Sequence, residues 1–213
     1  MKKTILIIMI FAVSVFAETE PIKDLEIKEK VKKTELSSAV GDLDKDGIKE
    51  KVVVYDTSEK ASMGTKRLIH VYKKKNDKWI LWHKSSGAVL ASRAGGMMMD
   101  AFTSVTIKSN AIRFNHFGGS SHKWSYTHVF RYQNKAWKLI GATITNISPD
   151  LKTEEFDYNL SNGKIIFKIS KKEKLIKTQK YKHKLLNLPL MDKFKPGENK
   201  ITIKDSKKKV FYF

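Results

Sequence analysis

The segment FDYNLSNGKIIFKI, residues 156–169, decides the fold class of this chain. Two runs rich in aromatic and β-branched residues flank its centre, Ser161-Asn162-Gly163. Asn-Gly favours a tight hairpin because both central positions of such a turn need a positive φ. In the second run Ile165, Phe167 and Ile169 share one face and lysines occupy the other, as in a half-exposed antiparallel strand. The segment therefore predicts a β-hairpin.

Similar pairs of short apolar runs follow one another from residue 51 to the C-terminus. Their turn signals are Asn76-Asp77, Ser109-Asn110 and Gln133-Asn134-Lys135, and a last hairpin is predicted at 201–213. No stretch shows a sustained helical period. We therefore expect an all-β fold, an antiparallel meander of hairpins that forms a barrel-like or sandwich domain with a calcium-type loop near its start.

The first 17 residues have the pattern of a signal peptide. Lys2 and Lys3 precede an uncharged run that ends in Val15-Phe16-Ala17, and polar residues begin at Glu18. The uncharged run is too short for a comfortable membrane span. We therefore expect cleavage after Ala17, a periplasmic or secreted protein, and no transmembrane anchor after cleavage.

The remainder divides into a lead-in segment at 18–38 and a single β-rich domain at 39–213. The lead-in segment is charged and fits neither a helical nor a strand period. Residues 185–213 are a candidate appendage to the domain, because a proline and a run of leucines interrupt the strand pattern there.

Composition limits the chemistry and the partners. The chain has no cysteine, so disulfides, thiolate metal sites and lipid attachment through cysteine are excluded. Its formal net charge of +20 attracts polyanions, so an anionic envelope polymer or an acidic protein is the expected partner. Nucleic acid is disfavoured by the export signal. The alternative is that the lysines, which are spread along the chain, only solvate the surface.

The loop GDLDKDGIKE, residues 41–50, has the spacing of a calcium loop. Gly47 permits the sharp turn that such a loop needs. Val53 stands where a full EF-hand has its bidentate glutamate, so we expect weak Ca²⁺ binding, with an aspartate-rich turn that holds no metal as the alternative. The candidate ligands are the carboxylates of Asp42, Asp44, Asp46 and Glu50 and the backbone carbonyl of Ile48.

These residues also carry a family resemblance. Residues 41–55 resemble one FG-GAP/VCBS-type repeat, in which such a loop precedes a strand. Ala94-Gly95-Gly96 through Asp100-Ala101-Phe102, Phe117-Gly118-Gly119-Ser120 and Trp124 are similar to exported bacterial proteins that contain VCBS repeats. The resemblance spans about residues 39–146 and implies export, a β-rich fold and no assigned reaction. Met99 and Ala101 depart from the family pattern, and a single repeat does not support a propeller.

Several other residue groups have both a functional and a simpler structural interpretation. His116, His122 and His128 recur every six residues, but Gly118-Gly119 is expected to break the strand between the first two, so ordinary histidines are favoured over zinc ligands. Met97-Met98-Met99 is either loop packing or an adaptable binding lip. For the four tryptophans, core or cross-strand packing is favoured over a sugar-stacking platform. They are Trp79, Trp82, Trp124 and Trp137.

Three functions remain open on this basis, and an enzyme is the less favoured class. The first is an envelope-associated binding or structural module that Ca²⁺ stabilises and whose basic face meets an anionic polymer. The second is an exported hydrolase of an acidic polymer, with a cleft between the loops 95–102 and 118–124. The third is a periplasmic inhibitor or immunity protein for an acidic partner.

Overall fold

The computed structural model describes residues 32–203 and 209–213. The predicted signal peptide and residues 18–31 of the predicted lead-in segment lie outside the described residues. No helix in the described part of the chain is long and apolar enough to cross a membrane.

The described residues form thirteen strands and two short 3₁₀ turns. The strands are β1 Lys33–Gly41, β2 Glu50–Lys60, β3 Thr65–Lys75, β4 Lys78–Ser85, β5 Phe102–Ile107, β6 Ile112–Gly119, β7 Lys123–Gln133, β8 Ala136–Ile147, β9 Lys152–Asn159, β10 Lys164–Lys171, β11 Lys174–Lys182, β12 Lys200–Ile203 and β13 Lys209–Tyr212. The 3₁₀ turns are Gly96–Met98 and Met191–Lys193.

All strand pairs are antiparallel and follow chain order, which confirms the predicted all-β meander. The strands make a four-stranded sheet β1-β2-β3-β4, a seven-stranded sheet from β5 to β11, and the two-stranded hairpin β12-β13. The meander stays open at β5 and β11, so of the two predicted arrangements the sandwich-like packing of sheets applies.

One face of the seven-stranded sheet forms most of the core. Along β6 buried and half-buried residues alternate strictly, with Ile112, Phe114 and His116 inward. This alternation follows from the two-residue period of a strand. Neighbouring strands add Phe130 and Tyr158 to the same face, so the core is continuous across the sheet.

Two layers cover this face. The four-stranded sheet contributes Trp82, whose ring lies 4.6 Å from Tyr132 and 5.3 Å from Trp137 between ring centroids. The C-terminal part contributes Phe211, which stacks on Phe156 at 4.5 Å, and the buried Phe194. The residues that were the candidate appendage therefore supply part of the same core.

The first strand begins at Lys33, inside the range predicted as a lead-in segment. It is an edge strand with mostly exposed side chains, so it carries little of the hydrophobic alternation that sequence patterns detect. A bulge between Glu35 and Ser37 weakens the two-residue period further.

Candidate functional site

The calcium-type loop connects β1 to β2 at one end of the four-stranded sheet. Gly41 and Glu50 pair across its base, and Leu43 inside the loop is buried in the core. Gly47 has a φ of 84°, a conformation that glycine adopts without strain. The loop is thus held by strand pairing at its base and by the buried Leu43 side chain.

Three carboxylates of the loop converge. One oxygen each from Asp42, Asp44 and Glu50 lies within 4.8 Å of the others, so this group can hold a metal ion. Glu50 is only 1% exposed, and one of its oxygens accepts the backbone N–H of Leu43 at 2.6 Å. Hard cations such as Ca²⁺ and Mg²⁺ prefer oxygen ligands of this kind.

The other two predicted ligands have different surroundings. The Asp46 carboxylate lies outside this group and accepts the backbone N–H of Ile48 at 2.7 Å. Asp42 also accepts backbone N–H groups, from Lys45 at 2.6 Å and from Gly47 at 3.3 Å. The carboxylates therefore stabilise the turn as well as forming the acidic group. The Ile48 carbonyl stays a predicted ligand.

Lys73 on β3 is the residue that sequence reasoning missed. Its ammonium group bonds to the Asp44 carboxylate and lies 4.3 Å above the Trp82 ring. Burial alone would raise the pKa of Asp44, but the hydrogen bond and charge of Lys73 outweigh it and lower that pKa. Nothing in the sequence links positions 44 and 73, because only the pairing of β2 with β3 brings them together.

Glu50 has the opposite shift. Burial raises its pKa first, and the negative charges of Asp44 and Asp46 add to this, so the pKa of Glu50 lies above its usual value. A bound divalent cation would favour the charged form of this buried carboxylate. The electrostatics of the group therefore suit a cation, with Lys73 as its competitor.

Two of the three histidines face each other in the core. His116 and His128 have ring centroids 6.4 Å apart, while His122 is exposed in the turn between β6 and β7. β6 includes both glycines and ends at Gly119, so the strand does end between His116 and His122 as predicted. Gly118 also makes room for Trp124, whose nearest ring atom would lie 2.4 Å from a Cβ there.

The loops that would form a hydrolase cleft do lie side by side. The N–H of Gly119 donates to the carbonyl of Gly95 at 2.8 Å. A groove of about 510 Å³ adjoins them, lined by residues that include Arg67, Trp124 and Glu198. The Asp100 carboxylate bonds to Arg67, and Glu198 pairs with Lys195 at 3.5 Å. Arg67 also pairs with the Asp56 carboxylate, so the acidic side chains near this groove are engaged by cations.

Three of the four tryptophans have the predicted core or cross-strand packing, and Trp79 is the exception. Trp82 and Trp137 belong to the core, and Trp124 stacks on Tyr126 at 4.5 Å. Trp79 is exposed on the edge strand β4. Met97, Met98 and Met99 are also exposed, which leaves the lip interpretation available.

A scan against protein-family models and searches of curated proteins and of solved structures found no match to this chain. The resemblance to FG-GAP/VCBS-type repeats therefore stays a prediction that rests on the residues quoted for it.

Proposed function

We propose that the protein is an exported, envelope-associated binding module that holds an anionic polymer on a lysine-rich sheet surface. The observation that carries this proposal is the charge of the β10–β11 hairpin. Residues 164–184 contain nine lysines and a single acidic residue, Glu173. A strong local positive charge attracts polyanions over distances of about a Debye length.

Most lysines of this hairpin have no acidic partner among the described residues. Lys164 stands directly opposite Lys182, and Lys180 stands opposite Ile166. Like charges directly opposite one another destabilise a strand pair. Only Lys168 and Lys171 of the hairpin form ion pairs within the described ranges, with Glu155 and Asp150. A bound polyanion would relieve the remaining repulsion.

Binding to a defined polyanion tests the proposal. We expect the protein to bind immobilised dextran sulfate and to elute at moderate salt, because salt screens exposed charges. The triple variant Lys164→Gln/Lys180→Gln/Lys182→Gln should elute at clearly lower salt. The control Lys60→Gln/Lys108→Gln/Lys135→Gln removes the same charge from other exposed positions and should stay close to wild type. Equal loss in both variants would show that net charge alone determines binding.

We further propose that Ca²⁺ is the ion bound by the Asp42–Asp44–Glu50 group. Three carboxylates would supply part of the six to eight oxygens that Ca²⁺ takes, and the Ile48 carbonyl and water would supply others. The ion would hold the loop against β2 and so stabilise the start of the four-stranded sheet. This role is structural, and it supports the binding surface without taking part in polymer contact.

A thermal melt in chelator and in millimolar Ca²⁺ checks this assignment. A ligand that binds only the native state raises its stability by mass action, by about 1 kcal/mol at a concentration several times a millimolar dissociation constant. We expect Asp44→Asn and Glu50→Gln to abolish the rise in melting temperature. Asp46→Asn should retain it, since Asp46 lies outside the group. Lys73→Gln should enlarge it by removing the competing ammonium. Absence of any rise in the wild type would reduce the loop to an aspartate-rich turn.

A further inference from the structure

The turn between β10 and β11 has an unusual composition. Residues 171–177, which we call the basic tip, read KKEKLIK and so place four lysines and one glutamate around an aliphatic pair. Leu175 and Ile176 are each 61% exposed. Single exposed aliphatic residues are common, but an adjacent pair surrounded by lysines is not explained by the packing of this fold.

The backbone conformation of the basic tip disfavours the charged residues that occupy its turn. Lys172 and Glu173 both have a positive φ, of 47° and 65°. Asparagine, aspartate or glycine normally takes such positions. The other positive-φ pairs at hairpin turns within the described residues each contain asparagine: Asn76-Asp77, Ser109-Asn110 and Asn134-Lys135. The basic tip thus keeps two long charged side chains where the turn disfavours them.

A bulge exposes the aliphatic pair. Ser170 pairs with Leu175 and Ile169 pairs with Lys177, so β11 has one extra residue at this point. Bulges re-aim side chains and end regular pairing. The bulge lies on β11, the outer strand of the sheet, where no further strand among the described residues covers it.

The neighbouring turn extends the same surface. The N–H of Lys172 donates to the carbonyl of Leu151 at 3.1 Å, and Lys171 pairs with Asp150 at 3.1 Å. Leu151 is itself exposed. Two hydrogen-bonded turns at this end of the sheet therefore carry three exposed aliphatic residues. They also carry Lys172, Lys174 and Lys177, which form no ion pair within the described residues.

We propose that the basic tip docks the protein on an anionic lipid bilayer, with Leu175 and Ile176 entering the headgroup region and the lysines contacting lipid phosphates. The inference rests on the proposed function, because it uses the same lysine-rich hairpin and adds an anionic bilayer as a second envelope partner at its tip. Charge complementarity selects an anionic surface. The aliphatic pair selects a lipid over a soluble polyanion, since only a bilayer offers an apolar layer below its charges.

The hairpin β3–β4 has a comparable pattern and provides a matched control. Its exposed Ile80 and Leu81 follow a lysine-rich turn. Lys73 and Lys74 pair there with Asp44 and Asp77, whereas Lys75 and Lys78 form no ion pair within the described residues. Ile80 and Leu81 are 49% and 48% exposed, against 61% for each of Leu175 and Ile176. The control therefore tests whether lipid contact is specific to the more exposed pair at the basic tip.

Co-sedimentation with vesicles gives the first test. We expect the protein lacking its signal peptide to bind vesicles that contain phosphatidylglycerol, to bind pure phosphatidylcholine vesicles weakly, and to be released by salt. Leu175→Ser/Ile176→Ser should lower the partition coefficient about tenfold, as expected for two aliphatic side chains leaving the bilayer. Ile80→Ser/Leu81→Ser should leave it unchanged. Unchanged melting temperatures would show that both variants fold.

A site-specific probe gives the second test, because the chain has no cysteine of its own. Ile176→Cys and Ile80→Cys are each labelled with a fluorophore that responds to polarity. We expect a blue shift with phosphatidylglycerol vesicles at position 176 alone. Equal shifts at both positions, or none at position 176, would overturn the inference.

Dextran sulfate separates this inference from the function on which it rests. Loss of vesicle binding by Leu175→Ser/Ile176→Ser with retained dextran sulfate binding supports lipid docking by the basic tip. Wild-type binding to dextran sulfate but not to vesicles would overturn lipid docking and leave the binding module in place. Failure to bind either would overturn both.

Discussion

Acidification from pH 6.5 to pH 4 is expected to lower the free energy of unfolding by about 3 kcal/mol for each of His116 and His128. Both side chains are buried, with 2% and 0% of their surface exposed. Burial lowers the pKa of His116 to about 4 and the pKa of His128 to about 3, from 6.5. These losses are large against a usual total stability of about 5–15 kcal/mol.

The direction of the pH effect on stability follows from the number of protons that each state binds. Between pH 6.5 and the folded-state pKa values, the unfolded chain binds protons at these histidines and the folded chain does not. Falling pH therefore favours the unfolded state across this window, and stability is fully present above it. The local contacts agree with neutral rings. The N–H of Leu90 donates to Nε2 of His116 at 3.2 Å, and neither nitrogen of His128 has a hydrogen-bond partner among the described residues.

Denaturant unfolding at several pH values between 7 and 4 checks this expectation, with pH as the only variable. His128→Phe should flatten the pH dependence by about half, because phenylalanine cannot be protonated and fits beside Phe194, whose ring lies 4.7 Å away. It should also raise stability at neutral pH, since it removes two unbonded buried nitrogens. The control His122→Phe changes an exposed histidine and should keep the wild-type slope. An unchanged slope in His128→Phe would contradict the assignment.

Replacing Phe194 with alanine is expected to cost about 3–5 kcal/mol of stability, the usual range for a large buried aromatic side chain. Phe194 is 1% exposed, and its ring lies 4.7 Å from His128 and 5.5 Å from Phe130. Its carbonyl also accepts the N–H of Ala88 at 2.8 Å. The side chain thus fastens the C-terminal segment to the inner face of the seven-stranded sheet.

Leu186→Ala is the matched control for this substitution. Leu186 lies in the same segment and is 97% exposed, so its truncation should change stability by no more than about 0.5 kcal/mol. Equilibrium unfolding in urea measures both variants. A loss below about 1 kcal/mol for Phe194→Ala would mean that residues 185–213 behave as the appendage that sequence patterns indicated. The stability of Phe194→Ala should also depend less on pH in the acid range. Water that enters its cavity would allow His128 to become protonated in the folded state.

The hairpins were largely predictable because turn residues and apolar alternation act between residues that are close in sequence. The Asn76-Asp77 turn has the expected positive φ at both residues, whereas at Asn162-Gly163 only Gly163 has one, because the turn there spans residues 160–163. On β10, Ile165 is buried and Phe167 packs against the core, on the face that the alternation indicated. The calcium-type loop was predictable for the same reason, since its carboxylates lie within one short segment. The edge strand β1 was missed because an exposed strand carries no apolar alternation.

The acidic group and the basic surface show the limit of local patterns. Spacing nominated Asp42, Asp44 and Glu50, but Lys73 enters the group only through pairing of β2 with β3. The nine lysines of residues 164–184 are already close in sequence, but only strand pairing places Lys164 directly opposite Lys182. Such pairings depend on register, which a single strand does not encode.

By itself, the sequence determined the strand class, most turn positions and the candidate ligands of the loop, because backbone preference and two-residue alternation act between near neighbours. Only the tertiary structure decided that His116 and His128 share a buried face, that Phe194 closes the core, and that the basic tip is exposed. These features depend on contacts between residues of different strands and layers. Burial and electrostatic interactions arise from those contacts, so a local segment of sequence does not determine them.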